Sequence, residues 1–415
     1  MATFFASQIV GSCIRFEKCY ISNMKKQMIA DRCRLYLNHE QTVIAVKTIG
    51  SCRYIYNLYL NTWDTVYRHT GKGMSYNSCC KNMTELKKVL PWLKEAESTA
   101  LQSSLRNLSN AFSAYFEKRA EKPVFHKKGR HDSYTCRNNS DSIRIIDSHH
   151  VQLPKLGIVR VRGLREINGR ILNATVTKET TGKWYLSLQY ETEIRDTYPL
   201  TGNTVGIDLG IHDFIVLSDG TGICNPKIYA KYEKKLIREQ KKLSRMFNAN
   251  VSHYTERNGK KYPALKRPLK ECRNYQKQKK VIAKIHEKIK NTRRDFEHKI
   301  STDLIKNHDV ICMEDLDIKG MLAEKKMSKE ISDVSWSEFT RMLEYKAERH
   351  GRKIIRTDRY FPSSQRCHVC GHIQKENKDL RIRRWECPEC HTIHDRDINA
   401  AINIREKGMS MIQHA

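Results

Sequence analysis

The chain has 415 residues, with 76 Lys and Arg against 46 Asp and Glu and a formal charge of +30, a length that accommodates two or three domains with their own cores. So large a cationic excess points to a polyanionic partner, most simply nucleic acid, and no long apolar run or basic amphipathic helix suggests a membrane protein. Residues 1–23 lack the basic leader and small-residue cleavage site of a secretion signal, so the expected location is the cytoplasm, beside the nucleoid, with reduced cysteines.

In chain order, residues 1–27 match no later pattern and read as an N-terminal extension, either a disordered arm or sequence upstream of the true start. Residues 41–49, rich in Thr, Val and Ile, read as a strand. Residues 51–69 read as a helix, with Ile55, Leu58, Thr62 and Val66 at helical spacing. The tyrosines around it can stack on bases, but such a face is more often core. Leu101, Leu105, Leu108, Phe112 and Tyr115 predict a second amphipathic helix over 97–118, packed on the first. The basic loop 122–130 follows, and its Lys127, Lys128 and Arg130 are candidate phosphate contacts. From Ser142 to Glu193 the period becomes two, predicting strands at 143–146, 151–153 and 158–161 and a hairpin of 172–178 with 184–191. Together with 41–49 these strands are expected to close a small antiparallel β-barrel (28–50 and 121–200) around a helical insert (51–120).

Residues 205–210, Val-Gly-Ile-Asp-Leu-Gly, read as a buried strand that brings Asp208 to its end, and 211–217 as the returning strand. Two very basic helices are expected at 232–246 and 274–307, separated by a loop or insertion at 247–272. The second helix has an apolar stripe through Ile282, Ile285 and Ile289. Among its cations, Lys280, Lys284, Arg293 and Arg294 are candidates for a nucleic-acid groove. Residues 309–316 repeat the theme of a buried strand ending in a carboxylate, Glu314. A helix at 336–350 and a strand at 353–357 come next, and near the C-terminus an acidic residue opens an apolar helix. Asp397 is the preferred residue there, with Asp395 competing as a capping or supporting group. A carboxylate on an apolar element is costly unless it is hydrogen-bonded or binds a cation. Three of them suit hard divalent ions, two of which would activate a water and stabilise the leaving oxygen of a phosphodiester. Cys367, Cys370, Cys387 and Cys390 follow the spacing C-x2-C-x16-C-x2-C of a zinc ribbon, a closed thiolate site for structural Zn2+. Arg383 and Arg384, between its two knuckles, are further candidates for nucleic-acid contact.

Taken together, Gly206-Ile-Asp-Leu-Gly210, Asn291-Thr-Arg-Arg-Asp-Phe-Glu-His-Lys299, Met313-Glu-Asp-Leu316, Ser364-Gln-Arg-Cys-His-Val-Cys-Gly371 and Asp395-Arg-Asp-Ile-Asn-Ala-Ala401 resemble the TnpB family of transposon-encoded proteins. The resemblance implies an α/β, RNase H-like (RuvC) nuclease domain over 201–361 and 393–415, split by a zinc-ribbon insert at 362–392. Ahead of it stand the barrel, as a wedge domain, and the helical part, as a recognition domain. It further implies an endonuclease guided by an RNA from the element end, acting as a monomer with that RNA on double-stranded DNA next to a short flanking motif. Asp208, Glu314 and Asp397 become its triad for Mg2+ or Mn2+. Compact type V CRISPR effectors share this division of labour. Such an effector is one alternative reading; a catalytically idle RNA-guided repressor is another, opposed by the presence of all three carboxylates. The N-terminal extension and the 247–272 insertion depart from the family pattern. Outside the family, an actin-fold ATPase would need a second phosphate loop, and a plain zinc-ribbon DNA-binding protein leaves the three carboxylates unexplained.

Overall fold

The computed structural model describes residues 26–130, 132–193, 198–323, 328–374 and 382–413; nearly all of the expected N-terminal extension lies outside them. The chain forms two compact units, Met1–Glu193 and Ile194–Ala415. Among the described residues, no helix is long and apolar enough to cross a membrane.

The first unit opens with strand β1 (Lys26–Tyr36), which runs through Asn38 into helix α1 (His39–Thr70). Asn38 and Gln41 form a capping box: the Asn38 side chain accepts the Gln41 N–H at 2.8 Å, and the Gln41 side chain accepts the Asn38 N–H at 3.1 Å. Residues 41–49, expected as a strand, are therefore the first turns of a 32-residue helix. The β-branched residues there have weak helix propensity. The cap and a buried stripe through Ala45, Thr48, Ile49, Cys52, Ile55 and Tyr59 override it. Helices α2 (Tyr76–Val89) and α3 (Ser98–Phe116) pack alongside. Leu101, Leu105, Leu108 and Phe112 of α3 are buried, and Trp63 stacks on Phe112 with ring centroids 3.8 Å apart. Tyr56 and Tyr59 belong to the core, whereas Tyr54 and Tyr67 are exposed.

Six strands follow: β2 (Ser133–Arg137), β3 (Arg144–Asp147), β4 (His150–Leu153), β5 (Gly157–Arg162), β6 (Arg170–Lys178) and β7 (Trp184–Glu193). With β1 they form one antiparallel sheet in the order β2-β6-β7-β1-β5-β4-β3. The expected barrel does not close, because the edge strands β2 and β3 are not paired with each other among the described residues. With 41–49 helical, the closing strand is missing. Instead β1 takes a central place, paired with β7 from Lys26 to Leu35 and with β5 at Arg34–Tyr36.

The second unit is built on β8 (Thr204–Leu209), β9 (Asp213–Leu217), β10 (Gly222–Cys224), then helix α4 (Ile228–Ala249), strands β11 (Val251–Arg257) and β12 (Lys260–Leu265), helix α5 (Arg273–Asn307) and strand β13 (Val310–Glu314). Helices α6 (Ile318–Ala323), α7 (Ser328–Val334) and α8 (Trp336–His350) lead to β14 (Lys353–Thr357), the short strands β15 (Arg384–Glu386) and β16 (Ile393–Asp395), and helix α9 (Arg396–Gln413). The main sheet has the order β10-β9-β8-β13-β14. β8, β13 and β14 run parallel, and β9 is antiparallel to β8. Phe214 of β9 meets Phe296 of α5 and Phe339 of α8 edge-on at 5.0 and 4.8 Å. The stretch expected as a loop between α4 and α5 is instead the β11–β12 hairpin.

Beside the α7–α8 junction, Glu297 of α5 is fully buried, with the Ser335 side chain and the Arg293 guanidinium as its polar neighbours. Burial pushes its pKa from 4.5 up to about 7, against the pull of Arg293. A carboxyl raised in this way favours the folded state fully below its unfolded pKa and loses that contribution as pH rises through about 7. Glu297→Leu is therefore expected to stabilise the protein at pH 8 by on the order of 2 kcal/mol and to flatten the loss of stability between pH 5 and 8. Calorimetric melts across that range check this; an unchanged pH slope would remove Glu297 from the account.

Candidate active site and zinc centre

Met313 lies opposite Ile207 in the parallel β8–β13 pair, so the next residues, Asp208 and Glu314, end adjacent strands about 4.8 Å apart. Alternation along each strand puts Gly206 on the same face as Asp208, and Cys312 on the same face as Glu314. Helix α9 lies on that face. A Cβ on Gly206 would collide with the Ala401 carbonyl, and one on Gly408 would sit 2.8 Å from Cys312 Cβ. Small residues thus let α9 lie close against the sheet, and its first turn carries Asp397.

The electrostatics register this convergence. Burial, then the charges of Glu314 and Asp397, push the Asp208 carboxyl well above the usual carboxylate range, while Arg396 and Arg383 pull it back. Burial also raises Glu314, and the Ser363 hydroxyl, bonded to its Oε1, partly offsets this. Arg383 Nη1 donates to Asp397 Oδ2 at 2.8 Å. Asp395 behaves differently. It is exposed, and its Oδ1 accepts the backbone N–H groups of Asp397 and Ile398 at 3.1 and 3.2 Å, the role of a helix N-cap.

Sequence reasoning missed the residues that hold this corner. Asn399 and Asn403, both buried, donate to the Arg366 carbonyl at 2.7 and 2.6 Å, and Asn403 also to the Ser363 carbonyl at 2.9 Å. They hold the loop from which Ser363 reaches Glu314. Two asparagines four residues apart on an apolar helix face were the available signal.

The four ribbon cysteines come together, with all Sγ atoms within 4.8 Å of one another. Cys367 and Cys390 are 3.6 Å apart and Cys370 and Cys387 3.5 Å, close to the ~3.8 Å edge of a tetrahedron with Zn–S bonds of about 2.3 Å. The two knuckles repeat one hydrogen-bond pattern. The Cys367 N–H donates to the His372 carbonyl and Gly371 N–H to Cys367; Cys387 N–H donates to Thr392 and His391 N–H to Cys387, at 2.8 to 3.0 Å. Gly371 and His391 hold the equivalent left-handed positions, φ 81° and 53°. The cluster fits Zn2+, and four thiolates fill a tetrahedral site.

Residues 24–72, 187–325 and 336–404 match families described as "Helix-turn-helix domain", "Probable transposase" and "Cas12f1-like, TNB domain". A Streptomyces pristinaespiralis protein provisionally described as an RNA-guided DNA endonuclease is 32% identical over 93% of this chain and 91% of its own length. InsQ of Escherichia coli, described in the same terms, is 31% identical over 88% of each chain. The chain belongs to the TnpB family.

This TnpB-family chain shares its fold with a Cas12f1 solved in complex with sgRNA and target DNA, at a TM-score of 0.60 and 13% identity, over 92% of this chain and 98% of that one. The stretch matched as a helix-turn-helix is here strand β1 followed by the single helix α1. The candidate nucleic-acid contacts divide. Lys127, Lys128, Arg130, Lys280, Lys284 and Arg384 are exposed. Arg293 is instead held by Asp333 at 2.8 Å, and Arg294 lies 3.6 Å from Glu338. Asp333 also accepts the Tyr229 N–H at 3.0 Å, so Arg293 helps tie α4, α5 and α7 together.

Proposed function

We propose that this TnpB-family chain is an RNA-guided DNA endonuclease encoded by a transposable element, cleaving DNA beside a short flanking motif through metal-dependent hydrolysis at a RuvC-like site. The observation that carries the mechanism is the convergence of Asp208, Glu314 and Asp397 from two parallel strands and a helix start, with Asp208 pushed far from its ordinary pKa. The sheet order, with β9 as the antiparallel member beside three parallel strands, supports an RNase H-like domain over 201–361 and 393–415 with its zinc-ribbon insert at 362–392. The sheet and helices of the first unit serve as wedge and recognition parts.

Asp208, Glu314 and Asp397 offer the hard oxygen donors that Mg2+ or Mn2+ takes, although among the described residues the four cysteines are the group already drawn close enough to hold an ion. When bound, two such ions supply an activated water and stabilise the leaving oxygen of the phosphodiester. Ser363 fixes the rotamer of Glu314, Arg383 neutralises and holds Asp397, and Asp395 caps the helix that carries Asp397. The cysteine site is structural. A guide RNA and double-stranded DNA target are the partners, met in the cytoplasm by one copy of the chain. Identity of 31% to InsQ over 88% of each chain favours this reading over a CRISPR effector, since the Cas12f1 protein of Syntrophomonas palmitatica is 22% identical to this chain over 52% of it.

Sequencing of the RNA that co-purifies with the protein, expressed with its native flanking DNA, tests the proposal. One dominant RNA from the adjacent element end is expected, and with a matched target it directs Mg2+-dependent cutting. A repeat-spacer RNA would transfer the chain to the CRISPR reading; no specific RNA would overturn guidance.

A further inference from the structure

The β11–β12 hairpin has no part in the carboxylate site. Asn258 and Gly259 make its turn, both with positive φ (50° and 70°), a geometry that matches the twist of the flanking strands. Its base is clamped by Asn250, whose side chain donates to the Arg267 carbonyl at 2.7 Å and accepts the Arg267 N–H at 3.2 Å. Between these points it has no core. From Ser252 to Tyr262 every described side chain is exposed. A lone two-stranded ribbon is marginal in stability, so these side chains contribute little to folding and stand free to meet a partner.

Their chemistry is specific. Tyr254 and Tyr262 are 59% and 49% exposed. Tyr254 pairs across the ribbon with Pro263, and Tyr262 with Thr255, so the two rings lie on opposite faces. Lys260 and Lys261 follow the turn, exposed, and among the described residues neither is in an ion pair. Lys241 and Lys242 of α4 and Lys277 and Lys280 of α5, the two helices that the hairpin joins, are further exposed cations. Cations attract phosphates whatever the sequence, and flat rings stack on bases. A duplex keeps its bases stacked on one another, whereas folded RNA offers unpaired bases in loops and bulges. We infer that the β11–β12 hairpin docks on unpaired nucleotides of the guide RNA, with Lys260 and Lys261 on the backbone and Tyr254 and Tyr262 on bases. This rests on the RNA-guided reading.

The probe is the RNA that co-purifies with the wild-type chain, transcribed afresh and titrated against full-length protein at several salt concentrations. Lys260→Glu with Lys261→Glu is expected to weaken binding at least tenfold and to lower the slope of log affinity against log salt by ~1.4, two contacts at about 0.7 each. Tyr254→Ala with Tyr262→Ala is expected to weaken it about tenfold with little change in slope. Melting temperatures should stay at the wild-type value, since no buried residue is touched. Photo-crosslinking of wild-type protein to 4-thiouridine RNA should label residues 251–265, independently of any variant. Unchanged RNA affinity together with no crosslink in that segment overturns the inference. So does a loss confined to target DNA, which would assign the hairpin to the displaced strand. A wild-type chain that selects no RNA would instead overturn the RNA-guided reading itself, an outcome distinguishable because it precedes any variant.

Discussion

Asp208→Ala is expected to reduce target cleavage by on the order of 10³-fold or more, with guide-RNA affinity unchanged. The loss corresponds to several kcal/mol of transition-state stabilisation, each 1.36 kcal/mol being a factor of ten. The reason lies in the raised carboxyl of Asp208, pushed up by burial and by Glu314 and Asp397. Such a cluster is costly without a cation and favourable with one. Glu314→Ala and Asp397→Ala should act similarly. Asp395→Ala, which removes only a cap, should cost about 1 kcal/mol of stability and leave cleavage within a few-fold. Single-turnover cutting of a matched plasmid decides between them. Retained cutting by Asp397→Ala with loss in Asp395→Ala would move the third carboxylate to Asp395.

Cys387→Ser is expected to remove zinc, lower the solubility or melting temperature of the chain, and cut cleavage by ~10²-fold or more. Zinc binding contributes directly to folding because no such site exists in the unfolded chain; structural sites are worth about 10–16 kcal/mol in small domains. The effect should reach the nuclease because β16 runs directly into α9. Asp395 pairs with Arg384 across the small hairpin and caps the helix that carries Asp397. Arg383, beside that hairpin, bonds Asp397. Metal content by atomic absorption, melting and cleavage are measured together. A soluble, fully active protein without zinc would refute the structural role.

The parts legible from the chain alone were those encoded by local spacing. Two C-x2-C pairs, two apolar strands ending in Asp208 and Glu314, and the acidic start of α9 could be read in order, since each depends on a few neighbouring residues. The Asn258-Gly259 turn was equally local and was overlooked, because the flanking strands lack the apolar alternation that normally marks a hairpin. Tertiary packing decided the rest. Residues 41–49 became helical because a cap at Asn38 and a buried face outweighed β-branched propensity, and among the described residues the sheet of the first unit ends in the edge strands β2 and β3. Arg293 and Arg294 read from the sequence as candidate nucleic-acid contacts, and only packing shows that α7 and α8 bring Asp333 and Glu338 to them. Asp395 and Asp397 are alike in the sequence, and only the fold shows that Asp395 turns back to cap its own helix whereas Asp397 is bonded by Arg383. Sequence pattern specifies short-range geometry. Which distant groups share a site is set by packing, and packing also determines what each charge costs.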